Sequence, residues 1–324
     1  MILVTGGAGY IGSQIVKQLV QQNEKLVVVD NLSTSLKANV RDCELIEGDI
    51  GDPTILAYLF NHYRIDEVIH LAASTVVSES VVNPAKFYNN NTSNTAKLLA
   101  KCAEHHIKNF IFSSTAAVYG NVTNLPVVEE TLCQPINPYG HSKLMSEIII
   151  KDIAAASTMK QVTLRYFNVA GADPSNKLGP SLQHSTLLIR MAVQTALGIH
   201  SHLNIYGNDY DTVDGTGVRD YIHVIDIAKA HLNALTYLRS GGSSTVLNCG
   251  YGRGYSVLEV VKAVEKITAQ KLPVQYLPRR AGDPASVIAS ADKIKKILVW
   301  QPQYNNLEKI VTDSYYWEKQ LLQQ

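Results

Sequence analysis

The sequence predicts an α/β fold, a doubly wound parallel sheet with a smaller, interleaved C-terminal lobe. Three observations predict it. Short apolar runs alternate with amphipathic stretches through the first half of the chain, the rhythm of repeated strand–helix–strand units. A glycine-rich turn, Thr5-Gly6-Gly7-Ala8-Gly9-Tyr10-Ile11-Gly12, joins the first apolar run to the first amphipathic stretch. After Asn168 the texture changes: Gly171, Pro174, Gly179 and Pro180 break the alternation before strand-like runs return.

Taken in order, Met1–Thr5 and Leu26–Asp30 read as buried parallel strands, separated by an amphipathic helix from Ile11 to Gln22. Cys43–Gly48, Glu67–Ala72, Asn109–Ser114 and Gln161–Phe167 continue the strand series. Helices are expected over Thr54–His62, Pro84–His106 and Pro138–Ala156. Further on, a helical run covers Ser185–Leu197, turn-rich sequence spans Tyr206–Gly217, and Val218–Val224 and Val246–Asn248 look like returning strands. The expected division is a first domain over residues 1–168 with return segments over about 218–248, and a second lobe from 169–217 and 249–324. A chain of 324 residues exceeds the usual single-core size, which favours two lobes.

Apolar residues make up 46% and charged residues 18%, and the net charge is +1. That balance fits a folded enzyme and gives no reason to expect nucleic acid or an anionic membrane as partner. The four cysteines, Cys43, Cys102, Cys133 and Cys249, are scattered and read as free thiols in a reducing compartment. No apolar run approaches the ~20 residues of a membrane span, and Met1 runs straight into a strand, so a soluble cytoplasmic protein is expected. His105-His106 and His200-Ser201-His202 lack a carboxylate or cysteine at ligand spacing, so no metal is expected.

Gly6, Gly9 and Gly12 follow a strand and open a helix, the context a Rossmann-type dinucleotide loop requires. One glycine makes the tight turn, the next lets backbone approach a pyrophosphate, and the last allows close helix–strand packing. Asp30 ends the second strand about 20 residues past the loop, where a carboxylate binds a ribose 2′-hydroxyl and repels a 2′-phosphate, favouring NAD over NADP. The competing reading of Asp30 is a cap for the turn Asp30-Asn31-Leu32-Ser33. No lysine follows the loop as an ATP-binding P-loop needs. Downstream, Tyr139 and Lys143 stand four apart in Tyr139-Gly140-His141-Ser142-Lys143 and share one helix face. A phenol titrates near ~10, and bringing one to neutrality takes roughly 4 kcal/mol. A neighbouring ammonium and the positive ring of an oxidised nicotinamide are a source for that much. A dinucleotide and a tuned phenol together read as alcohol-to-ketone redox chemistry.

These segments, with Gly48-Asp49-Ile50, Phe112-Ser113-Ser114-Thr115-Ala116-Ala117-Val118-Tyr119-Gly120 and Arg165-Tyr166-Phe167-Asn168, resemble the extended short-chain dehydrogenase/reductase superfamily. Gly207-Asn208-Asp209-Tyr210, Gly215-Thr216-Gly217-Val218-Arg219-Asp220-Tyr221-Ile222-His223 and Arg279-Arg280-Ala281-Gly282-Asp283 narrow the resemblance to its UDP-glucose (UDP-galactose) 4-epimerase family. The resemblance spans nearly the whole chain. It implies a permanently bound NAD and UDP-hexose substrates. Tyr139 would remove the proton of the sugar 4′-hydroxyl as hydride leaves carbon 4′, and the 4-ketose would turn over while held through UDP. Thr115 would bridge the substrate hydroxyl and the phenol, and Lys143 would also hold the nicotinamide ribose.

By the same resemblance the cofactor is lined by Gly6, Gly9, Tyr10, Ile11, Gly12, Asp30 and Asn31 around the loop, with Asp49 and Ile50 at the adenine. Leu71, Ala72 and Ala73 would line its path, Asn91 its phosphates, and Ser113, Tyr139, Lys143 and Tyr166 its far end. Thr75 stands where some members carry a lysine. For UDP, Arg219 and Arg280 offer guanidinium forks that match phosphate oxygens; the competing reading pairs Arg219 with Asp220 or Asp226. Asn168 would donate to a phosphate, Asp283 would accept from the uridine ribose, and Thr186 stands where some members place Asn or His near the sugar. Val287 takes the place of a tyrosine that excludes N-acetyl groups, so UDP-N-acetylglucosamine is expected as a further substrate. The family pairs through two long helices, here Pro84–His106 and Pro138–Ala156, so a homodimer is expected.

A sugar-nucleotide dehydratase on this fold would need an acid pair directly after Thr115, where Ala116 and Ala117 stand. A uronic acid or pentose 4-epimerase, or a decarboxylase, shares the Tyr/Lys core and stays open. A non-catalytic NAD sensor predicts erosion of Tyr139, Lys143 or Thr115, and all are intact.

Overall fold

A computed structural model describes residues 1–180, 186–280 and 283–323. The first half runs β1 (Ile2–Thr5), α1 (Tyr10–Gln21), β2 (Leu26–Asp30), β3 (Glu44–Glu47), α2 (Pro53–His62), β4 (Glu67–His70), α3 (Val77–Val82), α4 (Pro84–Phe87), α5 (Asn94–Glu104), β5 (Asn109–Thr115), α6 (Pro138–Ala155) and β6 (Lys160–Tyr166). The second half runs β7 (Asn168–Ala170), α7 (Leu188–Ala196), β8 (Leu203–Tyr206), β9 (Val218–His223), α8 (Val224–Arg239), β10 (Thr245–Cys249), β11 (Gly254–Ser256), α9 (Val257–Thr268), β12 (Val274–Leu277), β13 (Ser286–Val287), α10 (Asp292–Leu298) and α11 (Leu307–Leu321).

Seven strands form one sheet in the order β10-β6-β5-β4-β1-β2-β3, every pair parallel. The chain walks outward from β1 to β3 and then restarts at β4, so the carboxyl ends of β1 and β4 flank the reversal point where such sheets hold ligands. This is the expected doubly wound Rossmann-type sheet. Its inner strands β1, β2, β4 and β5 are buried along their length because helices cover both faces. Val4, Val28, Ile69 and Ile111 pack on one face with Ile15 and Leu19 of α1 and Ile227 and Leu235 of α8. Leu3, Val27, Val68 and Phe110 pack on the other with Leu59 of α2, Leu98 of α5 and Ile150 of α6. Each such side chain, fully buried, contributes about 1.5–3 kcal/mol. That is what makes the sheet a rigid platform for its carboxyl-end loops.

Two expectations are corrected. The single helix expected over Pro84–His106 is three pieces, α4, a π-helical turn Tyr88–Ser93 and α5. The wider turn carries Asn91 inward, where it is buried. Val218–Val224, read as returning toward the first domain, lies instead at the centre of a small separate sheet. There β9 pairs in parallel with β7 and β13 and antiparallel with β11. Only β10 rejoins the large sheet, after α8 has packed back across α1. Apolar content predicts that a strand is buried and is silent about its partner. The helix expected over Ser185–Leu197 is observed as Leu188–Ala196, and Ser185 lies outside the described residues. Among the described residues no helix is long and apolar enough to cross a membrane.

Candidate active site

The glycine loop folds against its own surroundings so closely that side chains are excluded. Gly6 has φ +69°, and a Cβ there would meet the Ala72 nitrogen at 2.6 Å. A Cβ on Gly12 would lie 2.2 Å from the Gly6 oxygen. Gly9 is different: it is the N-cap of α1, and a Cβ would meet only the Gly6 oxygen, at 3.3 Å. No side chain caps α1 and no acid sits in its first turn, so its positive end meets no protein anion from its own first turn. Asp30 is buried at the end of β2, and its carboxylate makes the turn cap that was the competing reading as well as a bond into the glycine loop. Its Oδ2 accepts the Ala8 N–H at 3.0 Å, while Oδ1 accepts the Leu32 N–H at 2.9 Å and the Ser35 hydroxyl at 2.8 Å. The carboxylate therefore pins the loop and caps the turn.

Around that loop, Asn31 donates to Asp49 at 3.0 Å, Asp49 accepts the Gly51 N–H at 2.7 Å, and Ile50 is buried beside them. Leu71, Ala72 and Ala73 are half-buried just past β4. Two of the residues expected at the cofactor also tie the protein together. The Tyr10 hydroxyl is committed to the Gly171 carbonyl at 2.6 Å, tying α1 to the second lobe, and burial pushes its pKa up. Ile11, next to it, is half-buried. Asn91 donates to the Ser74 carbonyl at 3.0 Å and the Ser142 hydroxyl at 2.9 Å, and accepts the Ser74 N–H at 2.8 Å. With both amide protons engaged, it clamps the loop after β4 to α6 and has none left for a phosphate.

Tyr139 and Lys143 sit on α6, which Asn137 starts by accepting the Gly140 N–H at 2.8 Å, with Pro138 in the first turn. Such a cap contributes about 1 kcal/mol. A Cβ on Gly140 would lie 2.6 Å from the Ala117 oxygen, so this helix rests directly on the turn that follows β5. The contact brings the Thr115 hydroxyl to the Tyr139 phenol, and Thr115 also accepts the Ala117 N–H at 3.1 Å. Lys143 is 3% exposed. Its Nζ donates to the Ser113 carbonyl at 2.7 Å and lies 4.6 Å from the Phe112 ring centroid. Burial pulls its pKa down to about 7, against the Glu147 carboxylate. The expected lowering of the phenol by Lys143 is corrected: burial raises the Tyr139 pKa, opposed by the hydrogen bond from Thr115. The ammonium is turned onto Ser113 instead.

The second lobe gathers the residues expected at UDP. Arg219 pairs with Asp283 at 2.5 Å, both partly exposed. It pairs with neither Asp220 nor Asp226, which corrects that alternative. Asp220 accepts backbone N–H groups of Tyr251, Gly252 and Ala289, and Asp226 those of Gln303 and Tyr304. Val287 faces Arg219 in the β13–β9 register and packs near Phe167 and Val118. Arg280 lies 3.8 Å over the Tyr206 ring, a cation–π contact. Ala281 and Gly282 lie outside the described residues. Asn168 is exposed at the start of β7, and Thr186 is exposed just before α7, away from any hydrogen bond to this group among the described residues.

Residues 2–250 match the NAD dependent epimerase/dehydratase family. The chain belongs to that family. It is 46% identical over 323 residues to the UDP-glucose 4-epimerase of Azospirillum brasilense, covering 99% of this chain and 93% of the relative. The crystal structure of UDP-glucose 4-epimerase from Brucella ovis in complex with NAD superposes with a TM-score of 0.94 at 42% identity, covering 98% of each chain. The UDP-Glc/GlcNAc 4-epimerase of Campylobacter jejuni superposes at 0.87 with 45% identity, covering 98% of this chain and 99% of that one.

In this member of the epimerase/dehydratase family a buried polar layer under the site escaped sequence reasoning. Arg165 binds Glu147 through Nε at 3.0 Å and Nη2 at 2.6 Å, and Glu147 also takes a short hydrogen bond from the Ser114 hydroxyl. Arg165 reaches Tyr119, whose hydroxyl donates to Asn248 at 2.7 Å. The Tyr166 hydroxyl, expected near the cofactor, is taken by His231 at 2.5 Å and by Ser113. A signal for Glu147 existed: it continues the spacing of four from Tyr139 to Lys143. Among the described residues no three metal-ligating side chains cluster.

Proposed function

We propose that the chain is an NAD-dependent 4-epimerase of UDP-hexoses, interconverting UDP-galactose and UDP-glucose through a transient 4-keto sugar. The observation that carries this is the convergence of Thr115, Tyr139 and Lys143 at the carboxyl end of β5, beside a glycine loop that excludes side chains. Two of the relatives named above are UDP-glucose 4-epimerases and the third a UDP-Glc/GlcNAc 4-epimerase, which supports the reading.

The residues present fit NAD. A Cβ would fill the loop at Gly6 and Gly12, α1 starts without a side-chain cap, and Asp30 stands at the end of β2. When bound, NAD supplies a hydride acceptor at carbon 4′ that can give the hydride back. Tyr139 takes the 4′-hydroxyl proton and returns it, and Thr115 relays between phenol and sugar oxygen. Lys143, its ammonium on the Ser113 carbonyl, would hold the nicotinamide ribose, and Arg219, Arg280, Asn168 and Asp283 would anchor UDP, so the ketose can present either face. On this reading the large-sheet part, residues 1–168 with α8 and β10, takes the dinucleotide, and the remaining segments take the UDP-sugar.

The test is purified protein with UDP-galactose and no added cofactor. UDP-glucose should form, and NAD should be released on denaturation; no conversion would sink the assignment. The half-buried valine at 287 supports a wider range that includes UDP-N-acetylglucosamine. In the same assay that sugar should turn over, and Val287→Tyr should suppress it selectively. Asp30→Ala should narrow the preference for NAD over NADP by about tenfold or more, since a hydrogen bond to a charged group is worth about 1.5–3 kcal/mol. Cofactor titration of the stripped protein measures this; an unchanged ratio means another residue reads the ribose.

A homodimer is part of the proposal. The π-helical turn, α5 and α6 leave an open cleft of about 450 Å³ lined by Tyr88, Thr92, Ala96, Met145 and Ile149, with Ile148 52% exposed nearby. An apolar helix face of this kind suits isologous pairing. The four free thiols support a reducing, cytoplasmic setting.

A further inference from the structure

Three neighbouring residues of β5 are tied to three successive turns of α6. The Thr115 hydroxyl meets Tyr139, the Ser113 carbonyl accepts from Lys143, and the Ser114 hydroxyl donates to Glu147. The last of these ties belongs to no catalytic group, yet it is buried as well. Glu147 and Arg165 are 8% and 7% exposed at the side chain, and the guanidinium holds both carboxylate oxygens. A buried ion pair loses the hydration of both ions, and hydrophobic replacement of such pairs is often neutral or stabilising. Stability alone therefore gives no reason for this one. Its place does.

We propose that Glu147 is a positioning residue for the reaction: bonded to Ser114 and held at both carboxylate oxygens by Arg165, it fixes α6 in register with β5 and β6 one helical turn beyond Lys143. The inference rests on the epimerase reading of Tyr139 and Lys143. The groups that face Lys143 are Tyr139 and Glu147 on its own helix, the Ser113 carbonyl and Phe112 ring on β5, and the buried His70 on β4. Tyr166 on β6 reaches it only across Ser113, and Arg165 only behind Glu147. His70 is held neutral by burial and by the Lys143 charge itself. Of these groups Glu147 alone is an anion. Burial already draws the lysine down to about 7 with that carboxylate in place. Removing the anion leaves Arg165 as an unbalanced like charge behind it.

The experiment compares kcat, KM and melting temperature across pH for the NAD-loaded wild type, Glu147→Gln, and the double variant Glu147→Leu/Arg165→Met. In Glu147→Gln, kcat for UDP-galactose should fall roughly 10²-fold, the scale of a 1 Å misplacement, with KM little changed. Both limbs of the kcat–pH bell should move to lower pH, because a lost negative charge makes Lys143 and Tyr139 each release its proton more readily. The double variant should recover melting temperature but neither kcat nor the position of the bell. A merely structural pair predicts the opposite, kcat returning with stability and a bell that never moves. Either result, or kcat within threefold of wild type in Glu147→Gln, overturns the proposal. Should Glu147→Gln fail to fold, the double variant's pH profile decides alone. An inactive wild type would refute the epimerase reading, a different outcome from any of these.

Discussion

Tyr139→Phe is expected to lower kcat for UDP-galactose by about 10²–10⁴-fold while the purified protein retains its NAD. The substitution removes one oxygen. The ring keeps its edge-on packing against Phe87, with centroids 6.3 Å apart, and α6 keeps its Asn137 cap, so the fold has no reason to change. The glycine loop, Asp30 and the Arg219–Asp283 pair of the other lobe are untouched. The loss therefore falls on the proton transfer and on the hydrogen bond with Thr115, and should appear in kcat with KM little moved. Initial rates, melting temperature and the NAD released on denaturation separate these effects. A variant within tenfold of wild-type rate would show that another group accepts the 4′-hydroxyl proton.

Much of this site was legible because its chemistry is local in sequence. The glycine loop, the carboxylate ending β2 and the Tyr139–Lys143 spacing each need only neighbouring residues to be recognised. What was not legible depends on partners far along the chain. A strand-like run such as Val218–His223 announces a strand, but its pairing with β7, β11 and β13 is decided by topology. The π-helical turn at Tyr88–Ser93 has the composition of a helix, and only the wider hydrogen-bond ring turns Asn91 inward. The direction of the Lys143 ammonium also escaped. Spacing places it on the face of Tyr139, whereas the Ser113 carbonyl, 30 residues away, decides where it points. Asp30 teaches a related lesson. The turn cap that the sequence offered is present on one carboxylate oxygen, while the other takes the Ala8 N–H, a bond into the glycine loop that no local pattern announced.

Acid should destabilise the protein from about pH 6.5 downward, through two histidines buried without charge. His70 lies beneath the glycine loop, its Nδ1 2.7 Å from the Thr5 hydroxyl and its Nε2 2.8 Å from that of Thr95. Thr95 in turn donates to the Asn91 carbonyl, which fixes Nε2 as the protonated nitrogen and Nδ1 as the acceptor. His231 has the opposite tautomer, its Nδ1 donating to the Ile227 carbonyl at 2.9 Å and its Nε2 accepting from Tyr166. Protonating either ring breaks an accepted hydrogen bond and buries a cation. Burial accordingly lowers His70 to about 3, helped by Lys143, and His231 to about 4. Above pH 6.5 neither the folded nor the unfolded chain holds these protons, and the stability is whole. Between that pH and the folded values the unfolded chain takes up a proton at each ring that the folded one refuses. Stability then falls by about 1.4 kcal/mol per pH unit for each histidine. Over the two units below pH 6.5 the pair amounts to about 5 kcal/mol, a large share of a typical 5–15 kcal/mol. Urea unfolding of the NAD-loaded protein at fixed concentration, from pH 7.5 to 4.5, measures the slope. His231→Asn should remove close to half of the histidine part, since an amide does not titrate there. A slope unchanged by that substitution would place the acid sensitivity in the carboxylates instead.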